Sequence, residues 1–241
     1  MSRLRRQNGA ELQFVHIDRF QGKVMTMERH RILYRGGQGE LEEKKSRFIA
    51  TTCPTDSEEE ALAFIERMKK QYWDARHNCS AYVIGLHNEI QRCSDDGEPS
   101  QTAGKPMLDV ILGAGIRNMT VVVTRYFGGT LLGTGGLVRA YSEAVQKGLA
   151  ASTVIEKIPA RTVTLCTDYG GIGKLKYITA GMGLAELDSR YTAAAELDYL
   201  VPLPLVDTLK NKVTDATSGQ CGIVEGKECY YCIADGKPIV F

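Results

Sequence analysis

The sequence lacks any long apolar run. No stretch reaches the roughly 18 uninterrupted apolar residues that a membrane-spanning helix needs, and no apolar segment of a signal peptide opens the chain. We therefore expect a cytoplasmic protein with no membrane partner. With 241 residues, the chain is long enough for two domains that each bury a core.

The sequence also lacks a disulfide framework and a strong net charge. Its seven cysteines are scattered and odd in number, which is typical of reduced thiols. The formal net charge is +1, but basic residues concentrate in the first 50 positions and leave the remainder mildly acidic. An acidic body argues against strong nonspecific binding to nucleic acid, which needs many Lys and Arg contacts to phosphate. The net charge does not rule out local patches of basic residues.

The most specialised stretch, residues 124–139, carries neither common nucleotide-binding fingerprint. It follows a β-branched strand pattern and precedes helical spacing from Leu137 onward, but it is neither a Walker loop nor Gly-x-Gly-x-x-Gly. A glycine-rich turn before a helix N-terminus can still direct N–H groups toward an anion. The candidate anion- or RNA-binding residues are Lys105, Arg125, Gly128, Gly129, Thr130, Gly133, Thr134, Gly135, Gly136 and Arg139.

A second group of candidate pocket residues surrounds an acidic turn. His77 and Cys79 share one face of a predicted strand, and they form either a thiolate nucleophile pair or a loop-ordering His beside a packed Cys. Asp95, Asp96 and Glu98 either help to hold magnesium on a phosphate ligand or form a solvated turn. An internal network of ion pairs and hydrogen bonds between Arg125 and the acidic turn is a further alternative. We assign no catalytic residue, metal site or cofactor.

The other patterns predict an α+β chain. Residues 31–34 and 45–52 are predicted strands joined by a hairpin over Gly36, Gly37 and Gly39. A capping box at residues 57–60 begins an amphipathic helix, and Pro106 suits the first turn of another.

The predicted organisation has three parts. Residues 1–29 form a basic, disordered extension, residues 30–156 form a first domain, and residues 160–241 form a second. The second domain alternates β, α, β, β, α, β, which fits a ferredoxin-like sandwich. Cys229 and Cys232 lie three apart on a strand and face opposite sides, so we expect no zinc site there.

Four motifs in order resemble the YigZ/IMPACT family. They are NCSAY at 78–82, DDGEP at 95–99, TAGKP at 102–106 and VVTRYFGGTLLGTGG at 122–136. The part from about Arg161 onward resembles the ferredoxin-like C-terminal domain of the bacterial YigZ branch. The resemblance implies a ribosomal-protein-like β-α-β first domain, and a tandem similar to domains IV and V of elongation factor G.

The eukaryotic relatives regulate translation by competing for a scaffold protein that activates a stress-responsive initiation-factor kinase. Residues 1–29 are too short to be their additional N-terminal interaction domain, so that role is not carried over. We expect a noncatalytic binding or regulatory protein tied to translation through RNA, the ribosome or a translation factor. The alternative is a metal-assisted hydrolase that acts on a phosphorylated small molecule. The sequence does not indicate the oligomeric state.

Overall fold

The computed structural model describes residues 27–234 and 236–241. Within them the chain forms twelve strands and five α-helices, in two sheets. The strands are β1 His30–Arg35, β2 Gln38–Glu43, β3 Ser46–Pro54, β4 His77–Ile84, β5 Ile90–Ser94, β6 Ile116–Arg117, β7 Met119–Tyr126, β8 Thr153–Thr167, β9 Ala185–Tyr191, β10 Ala195–Pro202, β11 Gly222–Ala234 and β12 Lys237–Val240. The helices are α1 Glu58–Gln71, α2 Gly104–Gly113, α3 Thr134–Ala150, α4 Ile172–Gly181 and α5 Val206–Thr217.

The first sheet has the strand order β2-β3-β7-β4-β5, and every neighbouring pair is antiparallel. Helices α2 and α3 pack on one face with Cys79, Ala81 and Val83 of β4. Helix α1 packs on the other face, against Tyr82 and Ile84. The middle strand β7 is buried on both faces, which explains its unbroken run of β-branched residues.

Helix α1 begins as the sequence predicts. The Ser57 side chain accepts a hydrogen bond from the backbone N–H of Glu60, and the Glu60 carboxylate accepts one from the N–H of Asp56. These bonds satisfy backbone donors that the first helical turn leaves unpaired.

The predicted hairpin over Gly36, Gly37 and Gly39 is wrong. Strand β1 pairs with β6 and β8, while β2 and β3 form the hairpin, and its turn lies at Lys44 and Lys45. The glycines instead permit close packing, since a Cβ on Gly37 would lie 2.1 Å from the carbonyl oxygen of Ala151. Strand β2 is a polar edge strand, and its sequence gives it little strand character.

The second sheet contains the predicted ferredoxin-like arrangement. Its strands follow the antiparallel order β11-β8-β10-β9, with β12 added beside β11. Helices α4 and α5 cover one face through Leu175, Leu209 and Val213. The predicted α+β fold with two domains is thereby confirmed.

Strand β8 runs through the predicted domain boundary. Its first residues pair with β1, and its later residues pair with β10 and β11. The division near residues 156–160 stays a prediction. Of the predicted extension, residues 1–26 lie outside the described part. No helix of the described part is long and apolar enough to cross a membrane.

Candidate functional site

The glycine-rich segment forms an irregular loop from Phe127 to Gly133, between β7 and α3. Gly129 and Gly133 have φ values of 84° and 73°, a region that glycine enters without a Cβ clash. A Cβ on Gly128 would lie 2.0 Å from the carbonyl carbon of Lys45, so the β2–β3 turn packs directly on the loop. The contact is made by the backbone of Lys45, and both Lys44 and Lys45 are exposed in this turn.

The N-terminus of α3 is open. Its cap residue, Gly133, supplies no side-chain acceptor. The first backbone hydrogen bond of the helix runs from the Leu137 N–H to the Gly133 carbonyl, so the amides of Thr134, Gly135 and Gly136 precede it. Such amides and the helix dipole favour an anionic partner.

Arg125, at the end of β7, does not face the exterior. Its Nη1 donates to Glu98 Oε1 at 2.6 Å and its Nη2 donates to Ser46 Oγ at 3.4 Å. The guanidinium also lies 5.4 Å from the ring centroid of Phe48 and 5.6 Å from that of Phe127. With 6% of the residue exposed, Arg125 is a positioning residue inside the domain.

The acidic turn is held by the same kind of internal bonding. Asp95 accepts the backbone N–H groups of Gln101, Ala103 and Gly104 and so fixes the start of α2. Although burial acts to raise the pKa of Asp95, these bonds outweigh it and hold that pKa below its ordinary value.

Asp96 and Glu98 have different partners. Asp96 Oδ2 accepts the Asn78 N–H at 2.7 Å. Glu98 Oε1 accepts both Arg125 and the Tyr141 hydroxyl, the latter at 2.8 Å. The three carboxylates thus serve separate bonds, and the described residues contain no cluster of three or more potential metal ligands.

His77 and Cys79 do not form a nucleophile pair. His77 Nδ1 lies 2.9 Å from the Asp96 carbonyl oxygen. The Cys79 sulfur lies 3.0 Å from the Asp95 carbonyl oxygen and 3.3 Å from the Tyr141 hydroxyl. Burial raises the pKa of the Cys79 thiol far above its ordinary value, which keeps it protonated. The geometry matches a packed cysteine beside a loop-ordering histidine.

A cleft of about 480 Å³ opens between the glycine-rich loop and the acidic turn. Strand β7 ends where β4 begins, because Arg125 is paired with His77. The cleft therefore lies at that end of the sheet. Its walls include Arg76, His77, Glu98, Phe127, Leu131 and Thr134.

Comparison with known proteins identifies the family. A model of the Impact N-terminal domain matches residues 44–149, and a model of a domain of unknown function, DUF1949, matches residues 166–220. The chain is 40% identical to the IMPACT family member YvyE of Bacillus subtilis, over 80% of this chain and 89% of that protein. This chain belongs to the IMPACT family.

Other IMPACT family proteins agree. The IMPACT family member YigZ of Escherichia coli is 39% identical over 77% of this chain and 92% of that protein. Protein IMPACT of Mus musculus is 32% identical, but the match spans 39% of this chain and 30% of that protein. A solved crystal structure of a hypothetical protein has a TM-score of 0.53 at 37% identity, and the match covers 83% of this chain and 98% of that one. The predicted family resemblance is confirmed.

In this IMPACT family chain, the cleft unites members of both predicted groups. His77, Glu98, Arg125, Gly133 and Thr134 line it. The other candidates do not line it, namely Lys105, Gly128, Gly129, Thr130, Gly135, Gly136, Arg139, Cys79, Asp95 and Asp96.

Two of the predicted cations lie on helices. The Lys105 ammonium lies 2.5 Å from Asp109 Oδ1, within α2. Arg139 is exposed on α3 and has no ion pair within the described residues.

Sequence reasoning missed several residues around the cleft. Arg76 and Phe127 directly adjoin predicted candidates, and exposed aromatics beside cations are a recognisable signal of nucleic-acid contact. Leu131 is an apolar residue that is 81% exposed, and the glycine-rich sequence around it indicated a turn without indicating an exposed apolar side chain. The β2–β3 turn meets the loop through the backbone of Lys45 against Gly128, a contact that no local pattern indicates.

Proposed function

We propose that this chain is a noncatalytic binding protein that associates with RNA and acts in translation. The observation that carries the proposal is the convergence of cations and exposed apolar side chains around the glycine-rich loop. Arg76, Phe127 and Leu131 line the cleft, and Lys44 and Lys45 are exposed on the β2–β3 turn, whose backbone packs on the loop at Gly128. We call these five residues the loop face.

The composition of the loop face suits single-stranded RNA. Lysine and arginine side chains contact phosphates without regard to sequence, and aromatic rings stack on unpaired bases. The amides at the start of α3 add donors for a phosphate oxygen. Because the whole chain carries a net charge of only +1, binding depends on this local surface and not on a general attraction.

The link to translation rests on the family. The IMPACT family includes eukaryotic relatives named IMPACT. The family resemblance described above implies that such relatives control translation. RNA, a ribosome or a translation factor carrying RNA would each present phosphates and unpaired bases to the loop face. The hydrolase alternative gains no support, since Cys79 is held protonated and the carboxylates Asp95 and Asp96 are engaged in backbone bonds.

Binding of the full chain to a single-stranded RNA oligonucleotide, measured over a range of salt concentrations, tests the proposal. A Lys44→Glu, Lys45→Glu variant should bind at least about tenfold more weakly and show a shallower salt dependence, because fewer counterions are released. A Lys212→Glu, Lys237→Glu variant makes the same change of charge at exposed positions of the second domain and should bind like the wild type. Absence of wild-type binding at low salt would overturn the proposal.

A second experiment addresses the cellular partner. The wild type and the Lys44→Glu, Lys45→Glu variant are each used to recover partners from a lysate, with and without nuclease, and the bound RNA is sequenced. We expect ribosomal or messenger RNA with the wild type and its loss with the variant. Recovery that is equal for both proteins would contradict the role of the loop face.

A further inference from the structure

We propose that the cleft between the glycine-rich loop and the acidic turn holds one unstacked nucleotide whose base carries an exocyclic amino group. This inference rests on the proposed association with RNA and names the chemistry that the cleft selects. The cleft volume of about 480 Å³ falls within the range of pockets that enclose small ligands.

The first observation is an acceptor in the wall of the cleft. The Glu98 side chain is 3% exposed, and both hydrogen bonds that its carboxylate accepts, from Arg125 and Tyr141, go to Oε1. Among the described residues Oε2 has no hydrogen-bond partner, and protein atoms do not enclose it completely. Because Glu98 lines the cleft, we assign Oε2 as the atom that accepts a hydrogen bond from a ligand there. A carboxylate held in an ion pair accepts hydrogen bonds and donates none, so the ligand must bring an N–H or O–H group.

The second observation is an apolar wall. Phe127 is 46% exposed and Leu131 is 81% exposed, and both line the cleft. The guanidinium of Arg125 lies 5.6 Å from the Phe127 ring centroid, a cation–π contact between the ring and a buried arginine. A flat base can stack on such a ring irrespective of its identity.

The third observation is a place for the phosphate. Gly133 and Thr134, at the start of the 17-residue helix α3, line the same cleft. Arg76, the residue before β4, lines it as well. Both Thr134 and Arg76 are exposed. Amides at a helix N-terminus together with an arginine form a common phosphate site.

Together these groups predict which bases are preferred. Adenine and cytosine present an exocyclic amino group as donor, and guanine presents its amino group beside an imino N–H. Uracil has a single imino N–H flanked by two carbonyl oxygens, which repel a carboxylate. The cleft should therefore prefer cytosine, adenine and guanine over uracil, in the manner of proteins that read unstacked bases by their edges.

Fluorescence anisotropy of the full chain with labelled oligo(C), oligo(A) and oligo(U) tests this preference, and calorimetry with free CMP and UMP tests the nucleotide alone. We expect oligo(C) and oligo(A) to bind at least about tenfold more tightly than oligo(U), because only cytosine and adenine bring an amino donor to the Glu98 carboxylate. A Phe127→Ala variant should lose about tenfold in affinity for oligo(C). A Tyr177→Ala variant, which removes a ring that is 83% exposed on α4, should bind unchanged.

A Glu98→Gln variant tests the acceptor itself. If it folds, as judged by its thermal midpoint, it should reduce the preference for oligo(C) over oligo(U), because the amide no longer accepts at both oxygens. If it does not fold, the comparison of oligo(C) with oligo(U) on the wild type decides. Equal binding of all three oligonucleotides would overturn the preference for an amino group, and an unaffected Phe127→Ala variant would overturn the nucleotide site itself.

The outcomes separate the site from the wider function. If RNA binding depends on salt and is lost in the Lys44→Glu, Lys45→Glu variant but not in Phe127→Ala, the nucleotide site is overturned and the RNA association stands. Binding of CMP that is lost in Phe127→Ala, without RNA binding, retains the site and removes the association. If neither RNA nor CMP binds, both proposals are overturned.

Discussion

Arg125 and Glu98 form an ion pair that is almost sealed from solvent. Nη1 lies 2.6 Å from Oε1, and the side chains are 7% and 3% exposed. The Tyr141 hydroxyl donates to the same oxygen from α3. The pair therefore joins the end of β7, the acidic turn and the helix that follows the glycine-rich loop, and it holds the walls of the cleft at fixed positions.

Replacement of Arg125 by Met should destabilise the fold strongly. The change leaves the Glu98 carboxylate buried without its charged partner, which typically costs about 3–5 kcal/mol. Arg47→Met is a matched control, because Arg47 pairs with Glu40 at a comparable distance of 2.6 Å while both side chains are about half exposed. An exposed pair of this kind contributes about 0–1 kcal/mol. Urea unfolding measures both variants, and equal losses would contradict the assignment of a buried network.

Asp95→Asn should lower stability in a manner that depends on pH. The amide keeps the shape but loses charge-assisted acceptance of three backbone N–H groups, and we expect a loss of about 1–3 kcal/mol at pH 7. Hydrogen bonding holds the pKa of Asp95 below its unfolded value despite burial, so its contribution is present above the unfolded pKa, about 3.9, and is lost as pH falls through the folded pKa.

The measurement is the free energy of unfolding of wild type and Asp95→Asn from pH 7 to pH 3. The gap between them should be widest near neutrality and should close below about pH 4. Asp109→Asn, which alters an exposed pair with Lys105 on α2, serves as the control and should show a small gap. A gap of constant size across the range would argue against the N–H bonds as its cause.

Regular patterns predicted much of the fold. The period-two and helical spacings of the second domain give the observed order of elements. The strand, glycine-rich loop and helix from β7 to α3 also lie where the sequence places them. The prediction of the hairpin failed for two reasons. Strand β2 is polar and lies at an edge of the sheet, so its sequence does not look like a strand. Gly36, Gly37 and Gly39 permit close packing, and glycine is also the residue that a turn favours.

The site was predicted only in part, since its assembly depends on contacts far apart in the chain. Arg125 lies in a motif that suggested an anion site, yet its Nη1 donates to Glu98, 27 residues earlier. Lys45 reaches the loop through a backbone contact with Gly128. Sequence spacing specifies neither contact, because both require the pairing of β3 and β4 with β7.

Cys79 should resist alkylation in the folded protein. Burial raises its pKa, so little of the reactive thiolate is present at pH 8. Cys93 is exposed on β5 and should react first with iodoacetamide, whereas Cys232, at 2% exposure, should resist like Cys79. Peptide mapping by mass spectrometry follows each site, and urea should make all of them reactive. Alkylation of Cys79 as fast as Cys93 without urea would revive the nucleophile interpretation.

Two glycine substitutions in one segment should act in opposite directions. Gly128→Ala places a Cβ 2.0 Å from the carbonyl carbon of Lys45, so the β2–β3 turn must move, and we expect a loss of about 1–3 kcal/mol. Gly135→Ala meets nothing within 4 Å in the first turn of α3 and should stabilise the fold by up to about 1 kcal/mol. Urea unfolding measures both changes. Movement of the turn also shifts Lys44 and Lys45, so Gly128→Ala should weaken RNA binding. This binding is measured without urea, at a temperature where the variant is folded. Loss of stability without loss of RNA binding would show that these lysines act independently of the loop.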